Sequence, residues 1–269
     1  MTAAAQGDPP TALPLGNLPP YLFQQEVLRR LGPRALAMFA RASHGCAAAV
    51  AATALMTWAY HTKRTVTGRI FHHPPLCLEV ACSHAARCGN REVLEWLHDT
   101  GCPWNVKTTC AAAGAGHLEV VKWLHNQGCP WDVWTCAYAA RSEHLPFLQW
   151  AREHLCPWNW ATPACAAQGG HLEVLQWTRE HDCPWDYDTC SFAAEAGELE
   201  VLQWAVEHGC PWTPSTCSHA ARAGQLEVLQ WVRENDATGE VWDEDIVRRY
   251  AGGPRKQEVL TWLHQLSAP

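Results

Sequence analysis

Cysteine is the residue type whose spacing in this sequence could support chemistry. Five cysteines recur every 27 residues, and each begins a Cys-Pro-Trp motif: Cys102, Cys129, Cys156, Cys183 and Cys210. Regularly placed thiols could bind a soft metal ion or form disulfides. If one repeat is one helix pair, equivalent thiols lie about 8–10 Å apart, which is too far for a disulfide. We therefore predict that this ladder packs as small apolar side chains.

The other candidate chemical groups follow the same repeat. A second cysteine position, predicted to lie in the core, is occupied by Cys82, Cys136, Cys190 and Cys217 and also by Thr109 and Pro163. A histidine position, where turn hydrogen bonds are expected, contains His117, His144 and His171. His72, His73 and Cys77 fit no standard zinc spacing. There is no Gly-rich phosphate loop, nucleophile elbow or paired catalytic carboxylate. We predict no catalytic residue, no metal site and no cofactor, and hence a protein that is not an enzyme.

The elements that carry these residues repeat with them. Ala-Ala pairs stand at 85–86, 112–113, 139–140, 166–167, 193–194 and 220–221. A glycine turn and a variant of His-Leu-Glu-Val follow, and then a tryptophan: Trp96, Trp123, Trp150, Trp177, Trp204, Trp231 and, after a four-residue slip, Trp262. A 27-residue period held over several copies is typical of a stacked repeat array. We predict an all-α solenoid of six units and a degenerate C-terminal cap over residues 78–269. Each unit has a short Ala-rich helix, a longer Trp-bearing helix, and a loop whose tryptophan folds back over the pair.

Composition narrows the function classes. The 269 residues carry a net charge of −7, which argues against a general nucleic-acid binder. The N-terminus lacks a basic region followed by an apolar core, and there is no apolar run of 18 residues, so we expect no leader and no membrane partner. Fourteen cysteines without a secretory signal indicate reduced thiols in an intracellular protein. We expect it to be cytoplasmic or nuclear.

The N-terminal quarter has a different pattern. Residues 1–17 are rich in Ala, Pro and Gly and are predicted to be a disordered tail, and residues 58–77 are predicted to be a linker. Residues 18–57 carry apolar residues at helical spacing around a Gly-Pro break, and this order of elements resembles an F-box. The resemblance rests on Leu18, Pro19, Leu22, Val27, Leu28, Leu31, Pro33 and Leu36. It implies that these residues dock on the Skp1-type adaptor of a ubiquitin ligase. The alternative is a helical cap over the first repeat.

The repeat itself resembles an ankyrin array. Residues 117–132, His-Leu-Glu-Val-Val-Lys-Trp-Leu-His-Asn-Gln-Gly-Cys-Pro-Trp-Asp, match the second helix and following turn of that family without a gap. Ankyrin units run about 33 residues, so the shorter period predicts short loops between Asp132 and Thr135 and little or no strand. Ankyrin arrays with F-box-like segments and this loop occur in large DNA viruses and some unicellular eukaryotes. A viral origin would place the protein in a host cell.

Positions that differ between units are those that could recognise a partner. The resemblance places some of them on the concave face of the array, and exposed aromatic and Arg side chains are enriched at binding hot spots. The candidates for target binding are His84, Arg87, Trp134, Tyr138, Arg141, Trp160, Gln168, Tyr187, Phe192, Glu195, His219 and Arg222. For any single residue, scattered surface variation is the alternative.

Two functions remain. One is an adaptor that holds a protein target on the concave face and brings it to a ubiquitin ligase through a Skp1-type partner. The other is an ankyrin scaffold or sequestering module whose N-terminal helices only cap the array. In both cases we expect a monomer.

Overall fold

A computed structural model describes residues 76–99 and 102–266. The predicted tail, the F-box-like segment with its eight docking residues, and nearly all of the predicted linker lie outside this part of the chain. The first described helix begins at Leu76, two residues before the predicted start of the array.

The described residues form seven helix pairs. The first helices of the pairs are Leu76–Arg87 (α1), Val106–Gly114 (α3), Val133–Arg141 (α5), Ala161–Gln168 (α7), Tyr187–Ala196 (α9), Pro214–Ala223 (α11) and Glu244–Tyr250 (α13). The second helices are Arg91–Asp99 (α2), Leu118–Asn126 (α4), Leu145–Glu153 (α6), Leu172–Glu180 (α8), Leu199–Glu207 (α10), Leu226–Asn235 (α12) and Lys256–Leu266 (α14). All regular structure in these ranges is helical, which confirms the predicted all-α solenoid with short loops.

Small side chains allow the first helices to stack. Each first helix packs on the first helices of the neighbouring units. The Ala-Ala pairs, such as Ala112 and Ala113, are fully buried at these contacts. The apolar face of the second helix, for example Val121 and Leu124, is buried against the same core. Contrary to expectation, the second helix is not consistently the longer one: α3 and α4 both span nine residues, whereas α7 spans eight and α8 nine.

Side-chain caps fix where the first helices begin. Asp132 accepts a hydrogen bond from the N–H of Trp134 at 2.9 Å, and the hydroxyl of Thr135 accepts one from the N–H of Asp132 at 3.3 Å. This capping box satisfies backbone donors that the helix leaves unpaired. Because the cap directly follows the Cys-Pro-Trp loop, the chain enters α5 at Val133 with no room for a β-hairpin.

Four of the second helices are followed by a left-handed residue: after α4 and α10 it is Gly128 and Gly209, as predicted, with φ angles of +76° and +80°. Leu155 and Asp182 take the same conformation without being glycine, at +61° and +58°. Residues with a side chain are disfavoured in the left-handed conformation. In these two units the turn therefore forms despite local backbone strain.

The loop tryptophan joins consecutive units. Trp131 stacks on His125 of its own unit, with ring centroids 4.1 Å apart. It meets the helix tryptophan of the next unit, Trp150, edge-on at 5.8 Å. The predicted fold-back therefore occurs, and it also extends to the next unit. The helix tryptophans lie half-buried at the edge of the core and are not fully enclosed.

Candidate functional site

A concavity crosses the first helices of the first three units. This groove has a volume of about 950 Å³ and is bounded by α1, α3 and α5. Five of the twelve residues selected from the sequence as target-binding candidates line it together: His84, Arg87, Trp134, Tyr138 and Arg141.

The groove exists because the middle unit lacks side chains that its neighbours have. Ala111 of α3 stands at the repeat position of His84 and Tyr138, while Gly114 stands at that of Arg87 and Arg141. A Cβ atom added at Gly114 would lie 3.3 Å from Cβ of Tyr138, so even a methyl group would begin to fill the space. The two small residues form the floor, and the larger residues of units one and three form the walls.

Two exposed aromatic rings form the wall contributed by α5. Trp134 and Tyr138 are 44% and 43% exposed, and their ring centroids lie 6.2 Å apart. Because Asp132 caps this helix, its first turn and therefore Trp134 are held in place without help from a ligand. Exposed rings on a rigid helix can bury apolar area against a partner at low entropic cost.

Positive charge surrounds the groove. Arg87 and Arg141 end α1 and α5, and Lys107 lies in the first turn of α3. None of these three forms a salt bridge within the described part of the chain. Asp132 is the carboxylate of the lining, and its capping hydrogen bond occupies it.

The backbone behind the two arginines is fixed by the following units. The carbonyl of Arg87 bonds to Nε2 of His117 at 2.9 Å, and the carbonyl of Arg141 bonds to Nε2 of His171 at 2.9 Å. These contacts confirm the predicted turn hydrogen bonds for these two histidines. His144 instead packs over Gly116, where an added Cβ would lie 2.5 Å from its ring.

The remaining candidates lie outside the groove, and four of them interact with one another. Glu195 bonds to His219 at 2.8 Å and lies 3.7 Å from Arg222. Phe192 contacts the ring of His219 at a centroid distance of 6.0 Å. Three of these side chains therefore satisfy one another's charge or hydrogen bonding, which weakens their case as partner-binding groups. Trp160 and Tyr187, 38% and 47% exposed, and the half-buried Gln168 are elsewhere on units four and five.

Sequence reasoning missed that the two cysteine positions meet. Sγ of Cys82 lies 3.3 Å from Sγ of Cys102 in the same unit, and Thr109 takes the corresponding place beside Cys129 at 3.3 Å. A constant offset of 20 residues between the two positions was the available signal.

The thiols of both positions are buried and free. Burial raises the pKa of Cys183, in the first position, and that of Cys217, in the second, to about 12. Such thiols are protonated at neutral pH and poor nucleophiles, which supports the prediction of a packing role. Cys88 differs from the expectation of reduced thiols, because it is disulfide-bonded.

Within the described ranges, no group of three or more His, Cys, Asp or Glu side chains is placed to hold a metal ion. None of the described helices is long and apolar enough to cross a membrane.

Comparison with known proteins gives similarity at the level of architecture. No family model matches the chain, and no curated protein matches it. The ankyrin repeat domain of human ASB11 aligns with 70% of this chain and 97% of its own, at 15% identity and a TM-score of 0.46. The pentatricopeptide repeat protein PPR10, solved in complex with an 18-nucleotide psaJ RNA element, aligns with 94% of this chain and 41% of its own. That alignment has 15% identity and a TM-score of 0.44. At this level of similarity neither structure indicates what this chain binds.

Proposed function

We propose that this chain is a non-enzymatic protein-interaction protein that holds a segment of a protein target in the groove across its first three units. The supporting observation is that five variable side chains, separated by up to 57 residues in sequence, line one groove with an aromatic wall and unpaired cations. Varied side chains that share one groove of a regular array are what a recognition surface requires. The regular positions build the scaffold, and the varied positions are left to select a partner.

The test compares partner capture by the full chain and by groove variants in cells. Trp134→Ala combined with Tyr138→Ala removes the aromatic wall. Since both rings are exposed, the variant should fold normally. Tyr250→Ala is the matched control, because that ring is 48% exposed on the last unit, far along the chain from the groove. We expect quantitative mass spectrometry to show a protein retained by the unmodified chain and the control but reduced about tenfold or more in the double variant. Equal capture by all three would reject the groove as the target site.

The finer proposal is that residues 18–57 link this target to a Skp1-type ubiquitin-ligase adaptor. Its support is the F-box-like order of apolar residues, which lie outside the described part of the chain. Leu28→Asp with Leu31→Asp would place unpaired charges in an apolar interface. We expect the full-length variant to lose adaptor binding while its array unfolds as before.

The scaffold alternative predicts a different result for the same variant. If these helices cap the array, the substitutions lower the stability of the first repeats, and the unmodified chain never binds the adaptor. Adaptor affinity and thermal unfolding of the one double variant therefore separate the two functions.

A further inference from the structure

The charge of the groove is opposite to that of the chain. The protein has a net charge of −7, yet Arg87, Lys107 and Arg141 converge on one concavity without a salt bridge among the described residues. Local positive potential on an acidic protein attracts a negatively charged group selectively, since non-specific attraction of anions by the whole molecule is absent.

The same array neutralises an equivalent arginine elsewhere. Arg222 occupies the repeat position of Arg87 and Arg141, and its guanidinium lies 3.7 Å from Glu195 of the preceding unit. For Arg141 the corresponding residue of the preceding unit is Gly114, which has no side chain to pair with the guanidinium. A cation near a helix C-terminus is favourable in itself, and this accounts for all three arginines equally. It does not explain why Arg141 has no carboxylate at the preceding-unit position, or why a groove lies beside this arginine.

We propose, resting on the protein-binding function above, that the groove recognises an acidic, extended segment of the partner. Carboxylates at the two ends of the segment pair with Arg87 and Arg141, whose planar guanidinium groups suit two-point binding of a carboxylate. The residues between them are apolar and lie on the floor made by Ala111 and Gly114, against the ring of Tyr138.

The spacing of the repeats sets the length of the segment. Arg87 and Arg141 are two units apart, which corresponds to roughly 16–20 Å at a helix spacing of about 8–10 Å. An extended chain rises about 3.3 Å per residue, so the two acidic residues are separated by about five or six positions.

A peptide suits this surface better than a nucleic acid. Nucleic-acid binders gain affinity from many phosphate contacts, commonly about six to ten. Three cations within a groove of about 950 Å³ on an acidic protein supply fewer contacts and leave the rest of the surface repulsive to a polyanion.

The experiment selects ligands without assuming their sequence. Random displayed peptides, long enough to cross three units, are selected on the immobilised full chain. The most enriched peptide is synthesised with a fluorescent label, and its affinity is measured by anisotropy at low and high salt. A second synthetic version carries Asn and Gln in place of Asp and Glu, and a labelled oligouridine RNA serves as the nucleic-acid probe.

Three variants of the full chain decide the outcome. Arg87→Ala with Arg141→Ala should weaken binding of the acidic peptide about tenfold or more, since charge-assisted hydrogen bonds to both ends are lost. Arg87→Lys with Arg141→Lys keeps the charge but loses the forked geometry. Its affinity for the acidic peptide should therefore lie between that of the unmodified chain and that of the alanine variant. Arg222→Ala is the matched control and should leave affinity unchanged. Both groove variants should unfold at the temperature of the unmodified chain, because neither Arg87 nor Arg141 forms a salt bridge among the described residues.

We expect enriched peptides to carry spaced Asp or Glu, to lose affinity in the amide version, and to bind less tightly at high salt. Neutral or basic peptides that still require Trp134 and Tyr138 would overturn the acidic assignment and leave the proposed function standing. Failure of every selected peptide to depend on any groove residue would overturn both. Arginine-dependent binding of the RNA, with no response to the acidic peptide, would overturn the assignment in favour of a nucleic acid.

Discussion

The contact between loop and helix tryptophans should couple neighbouring units energetically. Trp177 on α8 is half-buried, and its ring lies edge-on to Trp158 of the preceding unit at a centroid distance of 5.8 Å. It also stacks on His181 at 4.3 Å. The guanidinium of Arg152 lies over the ring of Trp158, 4.0 Å from its centroid.

The magnitude follows from this partial burial. Truncating a fully buried aromatic residue costs about 3–5 kcal/mol. Because the ring of Trp177 keeps part of its surface in solvent, we expect Trp177→Ala to cost about 2 kcal/mol. An aromatic pair contributes about 0.5–1.5 kcal/mol beyond the area that it buries. The double variant Trp158→Ala/Trp177→Ala should therefore cost less than the sum of the single variants by about that amount.

Urea unfolding followed by far-ultraviolet circular dichroism measures all four members of this cycle. Trp262→Ala is the positional control, since that ring packs on Trp242 at 5.6 Å in the last unit, which has one neighbour. It should cost less than Trp177→Ala if the units contribute as nearest neighbours in a line. Additive single effects would refute the ring-to-ring coupling, and equal costs for Trp177 and Trp262 would refute the linear stacking.

Three further predictions test the turns, the thiols and the last loop. Gly128→Ala keeps open space around the new Cβ but places it at φ +76°, so it should cost about 1 kcal/mol. Gly169→Ala would put a Cβ 2.4 Å from the carbonyl oxygen of Arg141 and should cost more, about 2–3 kcal/mol by urea unfolding; equal costs would contradict the close inter-unit approach. The thiol of Cys110, buried and with its pKa raised to about 11, should be alkylated at neutral pH only on unfolding; rapid native-state labelling by iodoacetamide would contradict its burial. Burial raises the pKa of Asp236, but hydrogen bonds led by those from the N–H groups of Trp242 and Val241 outweigh it and lower the pKa overall. The stability from these bonds is present above the unfolded pKa and is lost as pH falls through the folded value, so Asp236→Asn should be less stable at neutral pH and match the unmodified chain in strong acid.

The repeat architecture could be predicted because the same sequence pattern recurs from unit to unit. Ala-Ala pairs, a glycine turn and a Trp-bearing amphipathic segment recur at one period, so six copies identify one helix pair. The role of Asp236 could not be predicted in the same way. It occurs once, in the lengthened loop before the last pair, where its carboxylate accepts hydrogen bonds from the N–H groups of Gly239, Val241 and Trp242.

The site was harder to predict because it depends on how units are placed against one another. The candidates on the walls could be selected as variable residues, but the groove arises from what is missing at Ala111 and Gly114. Likewise, Arg222 occupies the same repeat position as Arg87, and only its distance of 3.7 Å from Glu195 shows that it already forms a salt bridge. Pairwise distances between units are not encoded in the spacing of one position.

Site-specific photo-crosslinking tests the central claim, that the concave groove holds the protein target, most directly. A benzophenone amino acid replaces Ser142, an exposed residue of the groove lining, or Gln149, an exposed residue of α6 outside that lining. The full-length chain is irradiated in cells, with and without the Trp134→Ala/Tyr138→Ala pair. The account predicts a protein target crosslinked from position 142 and not from position 149, and lost when the aromatic wall is removed. A target crosslinked from position 149 alone, or one from position 142 unaffected by the loss of both rings, would contradict it.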